Sequence, residues 1–292
     1  RFGHHRHLIC VVAEQYQERY TPARVSAIAA ESRAADDHDH PVAVHKLSGL
    51  SFDEFADDPS LDQYAIQYNV ATAEQIHAGV ELAWADALGR YNLNLAEAAD
   101  WGTGATSRRK AWAAAMAGAY VMVYQMDVAT TPLADLEDLG RLRSFMERTD
   151  LYTMEPRDDL ADGDTDYLLA REGKSYILYA ESGTGALGLT DLHAGTYDRL
   201  WLDIPSGGEV LESAVELDAG AQAWARPSGI GPEAAVYALR TDGPNDLPVV
   251  LDQSLTIDGS EPLPVTLGVL DPDGPGPHVF TIESAPSNGT LE

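Results

Sequence analysis

Two glutamates stand out by where they fall. "LICVVAEQ" (8–15) runs from apolar and small residues into Glu14, and "NLNLAE" (92–97) alternates polar and apolar residues before ending at Glu97. In each case a short strand-like stretch stops at one carboxylate. Two carboxylates about 5–5.5 Å apart suit glycoside hydrolysis with retention, one as acid/base and one as nucleophile; a separation well over 10 Å opposes it. Other polar residues fall at comparable strand tips: His45 with Lys46, Gln67 to Asn69, and Gln125 to Asp127. Tyr16, Tyr68, Trp101 and Tyr124 lie near the same tips and suit a cleft in which sugar rings stack. The plainer reading is that each glutamate opens a solvated loop, because polar residues return wherever a strand ends.

A converging pair needs strands that end on one side. Residues 8–13, 42–47, 63–69, 91–97 and 119–125 read as strands, the first of them apolar on both faces as in a parallel sheet. Helices alternate with them. Thr21 and Pro22 start one that runs to about residue 35, and Thr72 with Gln75 forms a capping box before the stripe Ile76, Val80, Leu88. A third helix carries Trp112 and Met116, and a fourth, 132–148, carries Leu133, Leu136, Leu139 and Leu142. Residues 48–62 hold no clear helix. The alternation implies parallel strands with helical crossovers, and in a parallel α/β barrel the C-terminal strand ends face the active site.

After about residue 150 the pattern changes to short strands without helices. "DYLLAREGKSYILYAES" is a hairpin around a glycine turn, and "YDRLWLDI", "EVLESAVEL", "AQAWARP" and "AAVYALRT" are further strands. This predicts an all-β sandwich. Residues 241–248 read as a linker into a third β unit.

Composition narrows the function. The 292 residues carry a formal charge of −28, which argues against nucleic acid and against an anionic membrane surface as partners. No apolar run approaches the ~20 residues of a membrane span. The single Cys10 rules out an internal disulfide, and its neighbours Ile9 and Val11 predict a buried thiol. "GTGALG" (183–188) lacks the strand-then-helix setting of a dinucleotide site. The histidines at 4, 5, 7, 38 and 40 are set aside as a zinc site. No specific protein partner is identifiable.

The segments "RFGHH…LICVVAEQ", "HPVAVHKL", "LDQYAIQYN", "LNLAEAAD" and "RRKAWAAAMAGAYVMVY", in that order, resemble the second half of bacterial clan A (β/α)8 glycoside hydrolases. Among these the chain is most similar to the apiosidase-like group, whose C-terminal β-sandwich is labelled collagen-binding; "YLLAREGKSYILYAESG…LWLDIPSGG" resembles that sandwich. The resemblance implies that Glu14 is the acid/base after barrel strand 4 and Glu97 the nucleophile after strand 7. It implies a carbohydrate substrate, which the strand-tip residues His45, Gln67, Tyr68, Trp101 and Tyr124 are placed to bind. Where the family usually has Gly-Glu-Glu, this chain has Ala13-Glu14-Gln15, and no Asn precedes Glu14. The last stretch, through "LPVTLGVLDPDG…FTIESAPSNGTLE", resembles bacterial cadherin-like or immunoglobulin-like repeats. There Asp271 and Asp273 are candidate calcium ligands, or a plain Asp-Pro-Asp-Gly turn; no other cofactor is expected.

The expected architecture is therefore α/β plus all-β: strands 4–8 of a (β/α)8 barrel (1–149), a β-sandwich (150–242), and a linker with a partial Ig/cadherin-like unit (243–292). The expected function is that of a piece of a secreted or cell-surface bacterial retaining glycoside hydrolase, with the half barrel inactive by itself. The alternative is a non-catalytic carbohydrate-binding or adhesion protein with a degenerate barrel, or a surface-anchoring segment.

Overall fold

A computed structural model of the chain describes residues 8–87, 89–98, 101–121, 129–243, 247–250, 269–270, 279–281 and 284. Its first part alternates strands and helices: β1 (Cys10–Val11), α1 (Pro22–Ala35), β2 (Val42–Lys46), β3 (Gln63–Gln67), α2 (Ala73–Ala87), β4 (Asn92–Glu97), α3 (Ala105–Met116), β5 (Tyr120–Val121) and α4 (Leu133–Met146). The five strands form one sheet in chain order, every pair parallel.

The strands differ sharply in their two faces. Val42, Val44, Tyr64, Ile66, Leu93 and Leu95 are buried in one core with Ile76 and Val80 of α2 and Trp112 and Met116 of α3. Burying each such aliphatic side chain stabilises the fold by about 1.5–3 kcal/mol. The alternate positions hold Ala43, His45, Gln63, Ala65, Gln67 and Asn94, small or polar yet buried. Gln63 and Asn92 satisfy one another by an Nε2–H···Oδ1 bond of 2.7 Å.

Two expectations are corrected. Cys10 is exposed, with Ile9 46% and Val11 53% exposed beside it. Among the described residues β1 is the end strand of the sheet and pairs only with β2, which leaves its outer side chains open. In α4, Leu133 is 70% exposed, while Asp135 and Asp138 are buried along with Leu142, Phe145 and Met146. The acids face inward because they have partners there. Asp135 Oδ1 accepts the Gly104 N–H at 2.8 Å, and Asp138 accepts from Arg108 (3.1 Å) and from Arg141.

Nine antiparallel strands follow: β6 (Glu155–Pro156), β7 (Ala161–Gly163), β8 (Tyr167–Arg171), β9 (Ser175–Ala180), β10 (Leu187–Leu192), β11 (Gly195–Asp203), β12 (Gly208–Leu217), β13 (Gly220–Trp224) and β14 (Ala234–Arg240). They build a six-stranded sheet, β12-β11-β14-β9-β8-β6, and a three-stranded one, β13-β10-β7. The β8–β9 hairpin turns at Gly173, whose φ of +76° is costly for a residue with a Cβ. Leu168, Tyr176, Leu178 and Trp201 share a core with Leu187, Leu189 and Trp224. The other face of the six-stranded sheet, with Leu169, Ile177, Tyr179, Leu202 and Tyr237, joins the core of the parallel sheet. There Trp112 stacks on Tyr179 at 5.3 Å, and His77 stacks on Tyr167 at 3.7 Å. Residues Arg1–Gly243 thus make one compact unit. In the second unit, Pro244–Glu292, β15 (Val249–Val250) pairs antiparallel with β16 (Val269–Leu270). Among the described residues no helix is long and apolar enough to cross a membrane.

Candidate functional site

The polar face of the parallel sheet comes to a focus at the C-terminal ends of its strands. Gln15, just after Glu14, adopts a left-handed backbone (φ 45°, ψ 52°), which costs a non-glycine residue about 1–3 kcal/mol. Two contacts hold it there. Its N–H donates to His45 Nδ1 at 3.3 Å, and its Nε2–H donates to Gln67 Oε1 at 3.0 Å. Gln67 in turn donates from Nε2 to Glu97 Oε1 at 3.0 Å. A register shift between β3 and β4 makes that last bond: Ile66 faces Leu95, but Gln67 faces Glu97, skipping Ala96. Such bulges re-aim a side chain at a strand end. The result is a cluster in which Glu14, His45 and Glu97 each present one carboxylate oxygen or ring nitrogen, all within 4.8 Å of one another.

Donor–acceptor logic fixes the amides and the ring. An ionised Glu97 only accepts, so Gln67 must present its NH₂; its Oε1 then needs a donor, and Gln15 supplies one. His45 Nδ1 accepts from a backbone N–H, so the neutral ring carries its proton on Nε2. That Nε2–H is buried and has no hydrogen-bond partner among the described residues. Burial pushes the His45 pKa down, against the opposing pull of Glu97 and Glu14, so the neutral form is favoured. This tautomer suits a donor to a bound hydroxyl and does not suit a metal ligand, whose Nε2 would have to be free of its proton. A second buried polar atom, Asn94 Oδ1, also lacks a partner. Asn94 and His45 sit level with Ala65 across three strands, on either side of its methyl group.

Beside the cluster, Lys46 Nζ donates to Glu54 Oε1 at 2.7 Å, and the Tyr16 hydroxyl donates to the same oxygen. Burial pushes the Glu54 pKa up, but these two donors outweigh it and hold the carboxyl below its usual value. Burial, reinforced by Glu54, raises the Tyr16 pKa.

The structure therefore brings Glu14, His45, Gln67 and Glu97 together. It does not bring Tyr16, Tyr68 and Trp101 to them as a stacking wall. The Tyr68 ring lies against Gly79 of α2, on the helix side of the sheet, where a Cβ at Gly79 would collide with it. Trp101 is buried in the core with Lys110 Nζ 5.9 Å from its ring centre. Tyr16 is buried edge-on to Phe55 at 5.2 Å. Tyr124, the segment Gln125 to Asp127, Asp271, Asp273 and the histidines at 4, 5 and 7 lie outside the described residues. Gln15 and Asn94 were missed by sequence reasoning. The alternation of "QYAIQ" and "NLNL" was the available signal, since every second residue there is polar or small.

No protein-family model matches this sequence, and no curated protein does. Solved structures do match. One described as a glycoside hydrolase superposes with a TM-score of 0.60 at 15% identity, over 84% of this chain and 67% of its own. A glycoside hydrolase family 5 protein from Bacteroides vulgatus superposes with a TM-score of 0.55 at 14% identity, over 75% of this chain and 59% of its own. This chain has the fold of glycoside hydrolase structures. It spans about three-fifths to two-thirds of the length of the chains it matches.

Proposed function

We propose that this chain carries the catalytic carboxylates of a retaining glycoside hydrolase acting on a carbohydrate. The observation that carries the reading is the approach of a Glu14 oxygen and a Glu97 oxygen to within 4.8 Å, from the C-terminal ends of β1 and β4 of one parallel sheet. An inverting enzyme needs about 6.5–9.5 Å between its carboxyls to seat a water; a retaining one needs about 5–5.5 Å. In this reading β1 to β5 are strands 4 to 8 of a (β/α)8 barrel and the antiparallel sheets are an appended β-sandwich. The parallel strand order, the polar face over the site and the helices on the apolar face support it.

The surroundings support distinct roles for the two acids. Gln67 holds one oxygen of Glu97 and leaves the other to attack the anomeric carbon. Glu14 is exposed, where it gives its proton to the departing glycosidic oxygen. In the second step Glu14 takes a proton from water, and the resulting hydroxide displaces Glu97 with net retention. The unpaired His45 Nε2–H donates to a sugar hydroxyl, whose lone pair replaces the partner the apo site lacks.

The test uses the full-length protein. Glu97→Gln should abolish formation of a glycosyl-enzyme. Glu14→Gln should slow substrates with poor leaving groups far more than activated aryl glycosides, which need little acid help. Equal, small losses in both variants would refute the assignment.

A further inference from the structure

A second histidine cluster lies away from the strand ends, and there it is Nδ1 that faces a backbone carbonyl. His77, on α2, is 4% exposed. Its Nδ1 stands 2.9 Å from the Ala113 carbonyl oxygen, which can only accept, so Nδ1 carries a proton. Its Nε2 stands 2.6 Å from Asp158 Oδ2. Glu81, one turn along α2, completes a set of three donor atoms within 4.8 Å of one another. With Nδ1 protonated, a neutral ring would point its Nε2 lone pair straight at a carboxylate. A proton on Nε2, donated to Asp158 Oδ2, satisfies the contact, and a metal ion can take that proton's place.

We infer that His77 Nε2, Glu81 and Asp158 form a binding site for a divalent transition ion of the zinc type. An imidazole nitrogen and carboxylate oxygens are all zinc-ligand atoms, and three protein donors leave a fourth position for water. Holding the far ring nitrogen on a backbone carbonyl is how proteins orient a ligating histidine, and Ala113 does this for His77. The anchoring extends to Asp158, whose Oδ1 accepts the Leu168 N–H at 2.7 Å. The ring is also clamped by Tyr167, nearly parallel at 12°. Glu81 and Asp158 are half-buried, so an ion reaches the site from solvent. Donors on one tetrahedral zinc stand about 3.3 Å apart, so the 2.6 Å gap between Nε2 and Oδ2 opens by less than about 1 Å on binding. Calcium, which takes six to eight oxygens, finds too few donors here. The ion would tie α2 to the turn between β6 and β7.

The experiment is zinc chloride titrated into the whole chain after chelator treatment, at pH 7.5, read by calorimetry and by melting temperature. The wild type should bind zinc and melt higher with it. Glu81→Gln, a half-buried helix position that leaves the His77–Asp158 pair intact, should bind about tenfold or more weakly and lose the melting shift. His77→Gln should abolish it. His40→Gln, which removes a histidine paired with Asp36 elsewhere, should leave zinc binding at this site unchanged. Wild-type zinc affinity and melting shift in both Glu81→Gln and His77→Gln would overturn the inference, as would no zinc response in the wild type. If His77→Gln fails to fold, Glu81→Gln decides alone.

Discussion

Replacing Arg108 by Met should unfold this protein more readily than any surface change, and the structure sets the size of the effect. The Arg108 guanidinium donates to both oxygens of Glu233 (2.9 and 2.7 Å) and to Asp138 (3.1 Å). Both acids have side chains only 6% exposed, and Arg108 itself is 13% exposed. Without Arg108, Asp138 keeps Arg141, but among the described residues Glu233 keeps only the Arg109 cation, at 3.7 Å. One buried carboxylate is then left nearly uncompensated, which costs about 3–5 kcal/mol. For a unit of this size each kcal/mol moves the melting temperature by about 2–4 °C, so a fall of about 6–20 °C is expected. Arg143→Met breaks an ion pair that is 77% and 57% exposed and should cost only about 0.3–0.5 kcal/mol. Adding Glu233→Met to Arg108→Met should recover most of the loss. Calorimetric scans of the three variants supply the test. A single Arg108→Met variant that melts within 2 °C of wild type would refute the reasoning.

Gln67→Leu removes the donor to Glu97; a hydrogen bond to a charged group is worth about 1.5–3 kcal/mol, so kcat/KM of the full-length protein should fall roughly ten- to a hundredfold. A drop confined to KM would count against its role in aiming Glu97. For His45, burial lowers the pKa while Glu97 and Glu14 pull the other way. The unfolded chain therefore takes up the proton first as pH drops below about 6.5, and stability falls from there down to the depressed folded value. His45→Asn should flatten that slope in melts between pH 7 and pH 5; an unchanged slope would contradict the assignment. With a formal charge of −28, self-repulsion should ease as the Debye length shrinks from about 10 Å at 0.1 M salt to about 3 Å at 1 M. A melting temperature that fails to rise between those conditions would exclude this.

What the sequence made legible was the alternation of elements and the strand-end positions of Glu14, His45, Gln67 and Glu97. Strand periodicity and the return of polarity carry that information locally. What it concealed depends on backbone detail. No pattern announces that Gln15 turns left-handed, or that β4 skips Ala96 to set Glu97 against Gln67. Tyr68 follows a strand-end residue and read as part of the cleft, yet glycine at position 79 draws its ring to the helix side. In α4 the leucine spacing suggested one inward face and the acids took another. Asp135 and Asp138 have partners, Gly104 and Arg108, that lie about thirty residues upstream and are invisible to a local pattern.

The packing of α3 against the six-stranded sheet has a consequence for how the chain is made. Arg108 meets Glu233 across 125 residues, and Trp112 rests on Tyr179. During synthesis the parallel sheet and its helices leave the ribosome first, with Trp112 and His77 uncovered. Their cover is complete only when β14 emerges, and β14 lies between β9 and β11 in the sheet. At about 5–20 residues per second, the roughly 120 residues from Trp112 to Glu233 take about 6–25 s to make. Throughout that interval a nascent chain offers an apolar helix face to chaperones and to other nascent chains. Yield on expression should therefore depend on elongation rate and on holding factors more than on the stability of the finished fold.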